Sequence, residues 1–466
     1  MSLPLRLVAA FALTWIASCA AAQGLPAEVE AALARARLPR EALSVLVVDV
    51  EGKLAPRASH RAGVAVNPAS VAKLVTTYAA LELLGPAFTW STPVYVDGAV
   101  QGGTLTGNVY LQGQGDPKLV VERLWLLLRR LQGLGIQQIQ GDIVLDRSAF
   151  ETVTQDPGAF DGEPLRPYNA APDALLLNFK SVVMTFVPDR NSRAQIQYEP
   201  PLAGVQTTSS VALVAGDCGD WRAGLKADFS DANRIRLAGA YPSSCGERTW
   251  PAAYADPGSY AARAVAGLWA EMGGKLSGQV REGRVPAGLR PAFAVQSPAL
   301  AEIVRDINKY SNNVMAQQLF LTLSLQQKGV GTQQGSRELV RAWWRERIGG
   351  EPPAIGNGSG LSRDERITAQ QLARLLQLAW ASPLMPELLA SLPVAGTDGT
   401  LKRMRVRSAG LAHLKSGSLR DVTAVAGIVH GASGRRYVLV AIANHPNAAA
   451  ARPAIDALID WTARDQ

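Results

Sequence analysis

Hydrophobic and polar positions divide the 466-residue chain into three stretches of different rhythm. In the first, residues 25–38 (L-P-A-E-V-E-A-A-L-A-R-A-R-L) carry apolar side chains at helical spacing. L-S-V-L-V-V-D-V follows, a short apolar run ending in a turn, as a buried strand does. A helix is predicted over 68–84, with Val71, Leu74, Val75, Tyr78 and Leu81 at helical spacing. Asn67 is placed to cap it, Pro68 suits its first turn and Gly85-Pro86 stop it.

The second stretch, 87–290, changes to short alternating runs: T-P-V-Y-V-D-G, G-N-V-Y-L-Q-G, G-D-I-V-L-D-R and A-Q-I-Q-Y-E-P, separated by Gly, Pro and Asn. One helix, V-V-E-R-L-W-L-L-L-R-R-L, interrupts it. The third stretch returns to helices from about residue 297, with further ones near 335–348 and 368–380. It ends in strands H-L-K-S-G-S-L, V-T-A-V-A-G-I-V-H and R-R-Y-V-L-V-A-I-A-N-H, then a last helix. Strands near both termini bracket helices, so the simplest fold is a sheet built from both ends with the middle looped out.

With 47% hydrophobic and 18% charged residues the chain is globular. The net charge of +8 is spread without a basic cluster interleaved with aromatics, which argues against nucleic acid. Arg6, the apolar run L-V-A-A-F-A-L-T-W-I-A and Ala20-Ala21-Ala22 form a secretory signal cleaved before Gln23. Ile16-Ala17-Ser18-Cys19 also resembles a lipobox, which would leave Cys19 lipidated. No later segment is apolar enough to span a membrane. Export leaves Cys218 and Cys245, an even pair that reads as a disulfide. No Cys/His cluster offers metal ligands, and no cofactor is expected.

Ser70 and Lys73 are three apart at the start of the 68–84 helix, so they share a face. A serine is a weak nucleophile until a base stands beside it, and a lysine is a base only when burial or a neighbouring cation lowers its pKa. Alone, this spacing does not separate a reaction centre from a helix surface. His60, His413, His430 and His445 form no H-E-x-x-H, and no G-x-S-x-G elbow occurs. Gly113-Gln114-Gly115-Asp116-Pro117 lacks the pattern of a nucleotide loop. Two further groups change the weighing. Ser311-Asn312-Asn313 lies between two predicted helices, and Lys415-Ser416-Gly417-Ser418 lies on a predicted strand.

S-x-x-K, S-x-N and K-[ST]-G in this order are the signature of penicillin-recognising serine acyl-transferases. With the long gap between Lys73 and Ser311, and the stretches G-Q-G-D-P-K-L, G-N-G-S-G-L-S-R and L-P-V-A-G-T-D-G-T-L, the chain resembles the peptidase S13 family, the class C low-molecular-mass penicillin-binding proteins. That resemblance implies an α/β (α+β) fold: a β-lactamase/transpeptidase-like domain with an antiparallel sheet flanked by helices (23–85 and 290–466). Two mostly β domains are inserted in it, one from 86–101 and 166–289, the other from 102–165.

The resemblance also implies roles. Ser70 would be the nucleophile, Lys73 its general base, Ser311 a proton relay to the leaving amine, and Asn313 the amide that orients Lys73. Lys415 would attract the terminal carboxylate and help hold Lys73 neutral, Ser416 would hydrogen-bond that carboxylate, and Gly417 lies between. The N–H groups of Ser70 and Ser418 would form an oxyanion hole. Asp116 would read the free amine of a diaminopimelate, and Arg363 and Arg420 would line the cleft. Two departures stand out: K-S-G in place of the commoner K-T-G, and Lys118 beside Asp116. The implied activity is a periplasmic D,D-carboxypeptidase and endopeptidase acting on peptidoglycan stem peptides and acylated by β-lactams. The alternatives are a β-lactamase-type hydrolase and a non-catalytic cell-wall binding protein.

Overall fold

A computed structural model of the chain describes residues 24–152 and 155–465. The expected export segment, 1–22 with Cys19, lies outside the described residues. The early apolar run forms β1 (Leu43–Asp49), followed by β2 (Ala58–His60); the late runs form β3 (Ala412–Leu419), β4 (Val422–His430) and β5 (Arg436–Asn444). They make one antiparallel sheet in the order β3-β4-β5-β1-β2. β1 pairs with β5 along its whole length, from Leu43 opposite Ala443 to Asp49 opposite Tyr437, so both chain ends build the sheet.

Every residue of β1 is buried because both sheet faces are covered. Alternation sorts the side chains. Leu43, Val45 and Val47 pack with α1 (Ala27–Arg35) and the C-terminal helix α8 (Arg452–Ala463). Leu46 and Val48 pack on the opposite layer. That layer contains α2 (Lys73–Leu84), α3 (Leu300–Tyr310), α4 (Asn313–Lys328), α5 (Gln333–Arg347), α6 (Ala369–Trp380) and α7 (Met385–Ser391). α2 is buried on all sides from Lys73 to Leu81, as a helix apolar all round must be. Lys73 therefore enters the interior with its helix.

The insertion holds a mixed seven-stranded sheet, with strands Ser91–Gln101, Thr104–Gln112 and Pro291–Gln296 among them, a five-stranded sheet and a three-stranded sheet. Cys218 and Cys245 are joined, with Cα atoms 4.8 Å apart. The expected border between 101 and 102 falls at a hairpin tip, where Gln101 faces Thr104 and pairing continues to Val94 opposite Leu111. Strands after residue 274 join this same sheet. The sheets thus group 91–146 with 275–296, and set 181–253 apart. A Gly102-Gly103 turn reads alike as a linker or as a hairpin; only strand pairing tells them apart. A second helix, Tyr260–Glu271, which the alternation of this stretch did not signal, packs in the same core. The insertion is fastened to α4: Gln318 Nε2 donates to Asp173 O (2.8 Å), and Asp173 N donates to Gln318 Oε1 (2.8 Å). Among the described residues no helix is long and apolar enough to cross a membrane.

Candidate active site

The expected 68–84 helix begins with a tighter turn. Residues Ala69–Ala72 are 3₁₀, and the α-helix starts at Lys73. Asn67 sets this turn: its Oδ1 accepts from Ala69 N (2.8 Å) and its Nδ2 donates to Ser362 O (2.9 Å). Asn444 clamps the Asn67 backbone in both directions, at 2.9 Å each. Ala69 is thereby held at φ +47°, and Ser70 projects, half-exposed, beside β3. Two glycines let other backbones approach it. A Cβ on Gly417 would lie 2.7 Å from Pro68 O and 3.2 Å from Ser70 N. A Cβ on Gly360 (φ +79°) would lie 2.0 Å from Ala69 O.

Lys73 Nζ lies 2.9 Å from Ser70 Oγ, 2.6 Å from Asn313 Oδ1 and 2.5 Å from Ser359 O. The last two are carbonyl oxygens, which only accept. A neutral lysine amine has two N–H bonds and one lone pair. With both N–H bonds taken by Asn313 and Ser359, the lone pair faces the Ser70 hydroxyl. The side chain is fully buried, and burial lowers its pKa from 10.5 to about 7. Glu365, also buried, opposes that fall. Burial pushes the Glu365 carboxyl itself upward, against N–H bonds from Gly356 (2.9 Å) and Asn357 (3.3 Å).

Lys415 is equally buried; its Nζ donates to Ser311 Oγ (2.9 Å) and Ser416 O (2.7 Å). Burial, and then the Lys73 charge, push its pKa well below 10.5. Loss of water is thus the first cause of the lowered pKa at both amines. Ser311 caps α3 in the left-handed conformation (φ +57°), and Asn312 caps α4 by accepting from Met315 N (3.0 Å). The two caps turn Ser311 toward Lys415 and Asn313 toward Lys73. Ser416 Oγ lies 2.6 Å from Thr400 Oγ1. Ser70, Ser311, Ser416, Gly417 and Ser418 line one cleft of about 420 Å³.

The remaining expected residues are placed differently. Asp116 is 3% exposed and does not line this cleft. Its Oδ1 accepts from Lys118 N (2.8 Å) and its Oδ2 lies 3.8 Å from Arg123. Lys118 pairs with Asp306 of α3, and not with Asp116. Arg363 lies over the Phe160 ring (4.7 Å to its centre) and 3.3 Å from Asp421. Arg420 is exposed in the β3–β4 turn. Three partners escaped sequence reading: Ser359 O, Glu365 and Thr400. Ser359 and Thr400 lie in the G-N-G-S-G and T-D-G-T stretches, but a backbone carbonyl leaves no mark in a sequence.

Residues 25–465 match the model of the D-Ala-D-Ala carboxypeptidase 3 (S13) family. The chain is 28% identical over 395 residues to the D-alanyl-D-alanine carboxypeptidase of Actinomadura sp. (strain R39), covering 81% of this chain and 73% of that one. It is 24% identical over 382 residues to the D-alanyl-D-alanine carboxypeptidase DacB of Haemophilus influenzae, covering 81% and 80%. Penicillin binding protein 4 (dacB) from Haemophilus influenzae shares the fold, with a TM-score of 0.74 at 22% identity over 93% of this chain and 99% of that one. So does Bd3459, a predatory peptidoglycan endopeptidase from Bdellovibrio bacteriovorus, with a TM-score of 0.51 at 17% identity over 90% and 92%. The family match runs through both halves of the terminal sheet and the whole insertion between them: the protein belongs to the D-Ala-D-Ala carboxypeptidase (S13) family.

Proposed function

We propose that the protein is a periplasmic serine D,D-peptidase that cleaves the D-Ala-D-Ala end of peptidoglycan stem peptides, and D-Ala–diaminopimelate cross-links, through an acyl-enzyme at Ser70. The observation that carries this reading is the filled coordination of Lys73, which leaves one lone pair for one hydroxyl. Ser70 Oγ attacks the carbonyl of the penultimate D-alanine while its proton passes to Lys73 Nζ. The developing oxyanion meets the N–H groups of Ser70 and Ser418. The proton taken up by Lys73 is relayed through the Ser311 hydroxyl, itself held by Lys415, to the departing amine; the C–N bond breaks and Lys73 is neutral again. Lys415 and Ser416 hold the carboxylate of the leaving unit. Water, deprotonated by the same lysine, then attacks the ester, releases the shortened peptide and restores Ser70.

β-Lactams present a similar carbonyl and carboxylate and acylate the same serine. Intact-mass spectrometry after incubation with benzylpenicillin tests this. An adduct of one penicillin is expected on the wild type and none on Ser70→Ala. An equal adduct on the variant would refute the assignment.

A further inference from the structure

The cleft that holds Ser70 extends well beyond the reacting groups. Its far wall is Arg403, Met404 and Arg405 from the loop after Thr400, with Arg452, Ile455 and Asp456 from the start of α8. Among the described residues, none of the insertion lines it. At about 420 Å³ it falls in the ~300–1,000 Å³ range of sites that take ligands far larger than one alanine. Among the described residues, none of the three arginines has a carboxylate oxygen within 4.0 Å, although Arg363, Arg407 and Arg464 are each paired. Among the described residues the wall has one acidic side chain, Asp456; it is half-buried, and burial and Asp460 push its pKa up to about 6. The wall is therefore net positive and open to an anion.

The side of the reaction on which it lies follows from the mechanism proposed above, on which this inference rests. Ser311, which relays the proton to the leaving amine, and Ser416, which meets the leaving carboxylate, line this same cleft, as does Thr400, hydrogen-bonded to Ser416. Whatever is attached to the leaving nitrogen extends toward the arginines. A departing D-alanine has one carboxylate, and Lys415 and Ser416 suffice for it. We infer that Arg403, Arg405 and Arg452 form a leaving-group subsite for the acceptor stem of a cross-linked peptide, whose further carboxylates they bind, so that cross-linked dimers are preferred over monomeric pentapeptides.

The test compares wild type with the triple variant Arg403→Gln, Arg405→Gln, Arg452→Gln, using a D,D-cross-linked dimeric muropeptide and a monomeric pentapeptide muropeptide. Each exposed guanidinium–carboxylate contact contributes a factor of roughly two, so kcat/KM on the dimer should fall about 10-fold, mostly through KM. On the pentapeptide it should fall less than about 3-fold, which also reports that the variant folds. Equal losses on both substrates, or no loss on the dimer, would overturn the inference. Binding keeps it separate from the catalytic reading: the Ser70→Ala protein should bind the dimer about 10-fold more tightly than Ser70→Ala carrying the three glutamines. Equal affinities there overturn the subsite whatever the turnover; a lost penicillin adduct in the wild type overturns only the mechanism.

Discussion

Acylation of Ser70 should titrate with Lys73. The lysine accepts a proton only when its amine is neutral, and burial moves that equilibrium from 10.5 to about 7. At pH 7 roughly half the molecules then hold a usable base, and at pH 5 about one in a hundred. An unperturbed lysine would be neutral in roughly one molecule in 3,000 at pH 7. Burial thus raises the active fraction by a factor of about 1,500, equivalent to about 4 kcal/mol of activation free energy. The second-order rate of benzylpenicillin acylation, followed by quenched-flow mass spectrometry from pH 5 to 9, should rise tenfold per unit on the acid side and bend near pH 7. Lys415 must be charged to hold the carboxylate, and its own lowered pKa adds a fall at higher pH. Lys73→Ala should lose about 10²–10⁴ in rate and the acid limb with it. A profile flat between pH 5 and 7, or an acid midpoint at 9 or above, would refute Lys73 as the base.

Gly417→Ala should leave the protein folded yet slow acylation by about 10²-fold, because the new methyl meets Pro68 O at 2.7 Å and moves β3 off the Ser70 turn; acylation at the wild-type rate would argue that this approach is dispensable. Reduction of Cys218–Cys245, which closes a 27-residue separation, should destabilise the 181–253 part by about 3.5 kcal/mol on loop entropy, read as an earlier first transition in urea. Asp456 has its pKa raised to about 6, so the folded state holds a proton that the unfolded chain releases near 3.8, and stability falls as pH rises through that window. After discounting for its half-exposure, Asp456→Asn should stabilise the protein by about 1 kcal/mol at pH 7 and by nothing at pH 3; equal effects at both pH values would show that its charge is not the cause.

Local rules served best where one element carried the signal. The strands of the terminal sheet were legible because apolar runs of seven to nine residues have few other uses. The caps around Ser311 and Asn312 were legible because short polar residues between helices satisfy free backbone groups. The insertion was less so: Gly102-Gly103 hid a hairpin, and Tyr260–Glu271 passed as part of a strand-rich stretch.

Residue type and order determined which groups could react: a serine one turn from a lysine, a second serine with an asparagine, a lysine on an edge strand. Whether they do depends on surroundings that come from afar. The carbonyl of Ser359 and the amide of Asn313 each lie more than 200 residues from Lys73, and they leave its lone pair pointing one way. The depth at which α2 is buried sets how readily Lys73 gives up its proton. The arginines of the cleft wall gain meaning only when the loop after Thr400 and the start of α8 bring them to the cleft of Ser311 and Ser416. Covalent order specifies chemical groups, while pKa, lone-pair direction and charge complementarity are properties of the space between them.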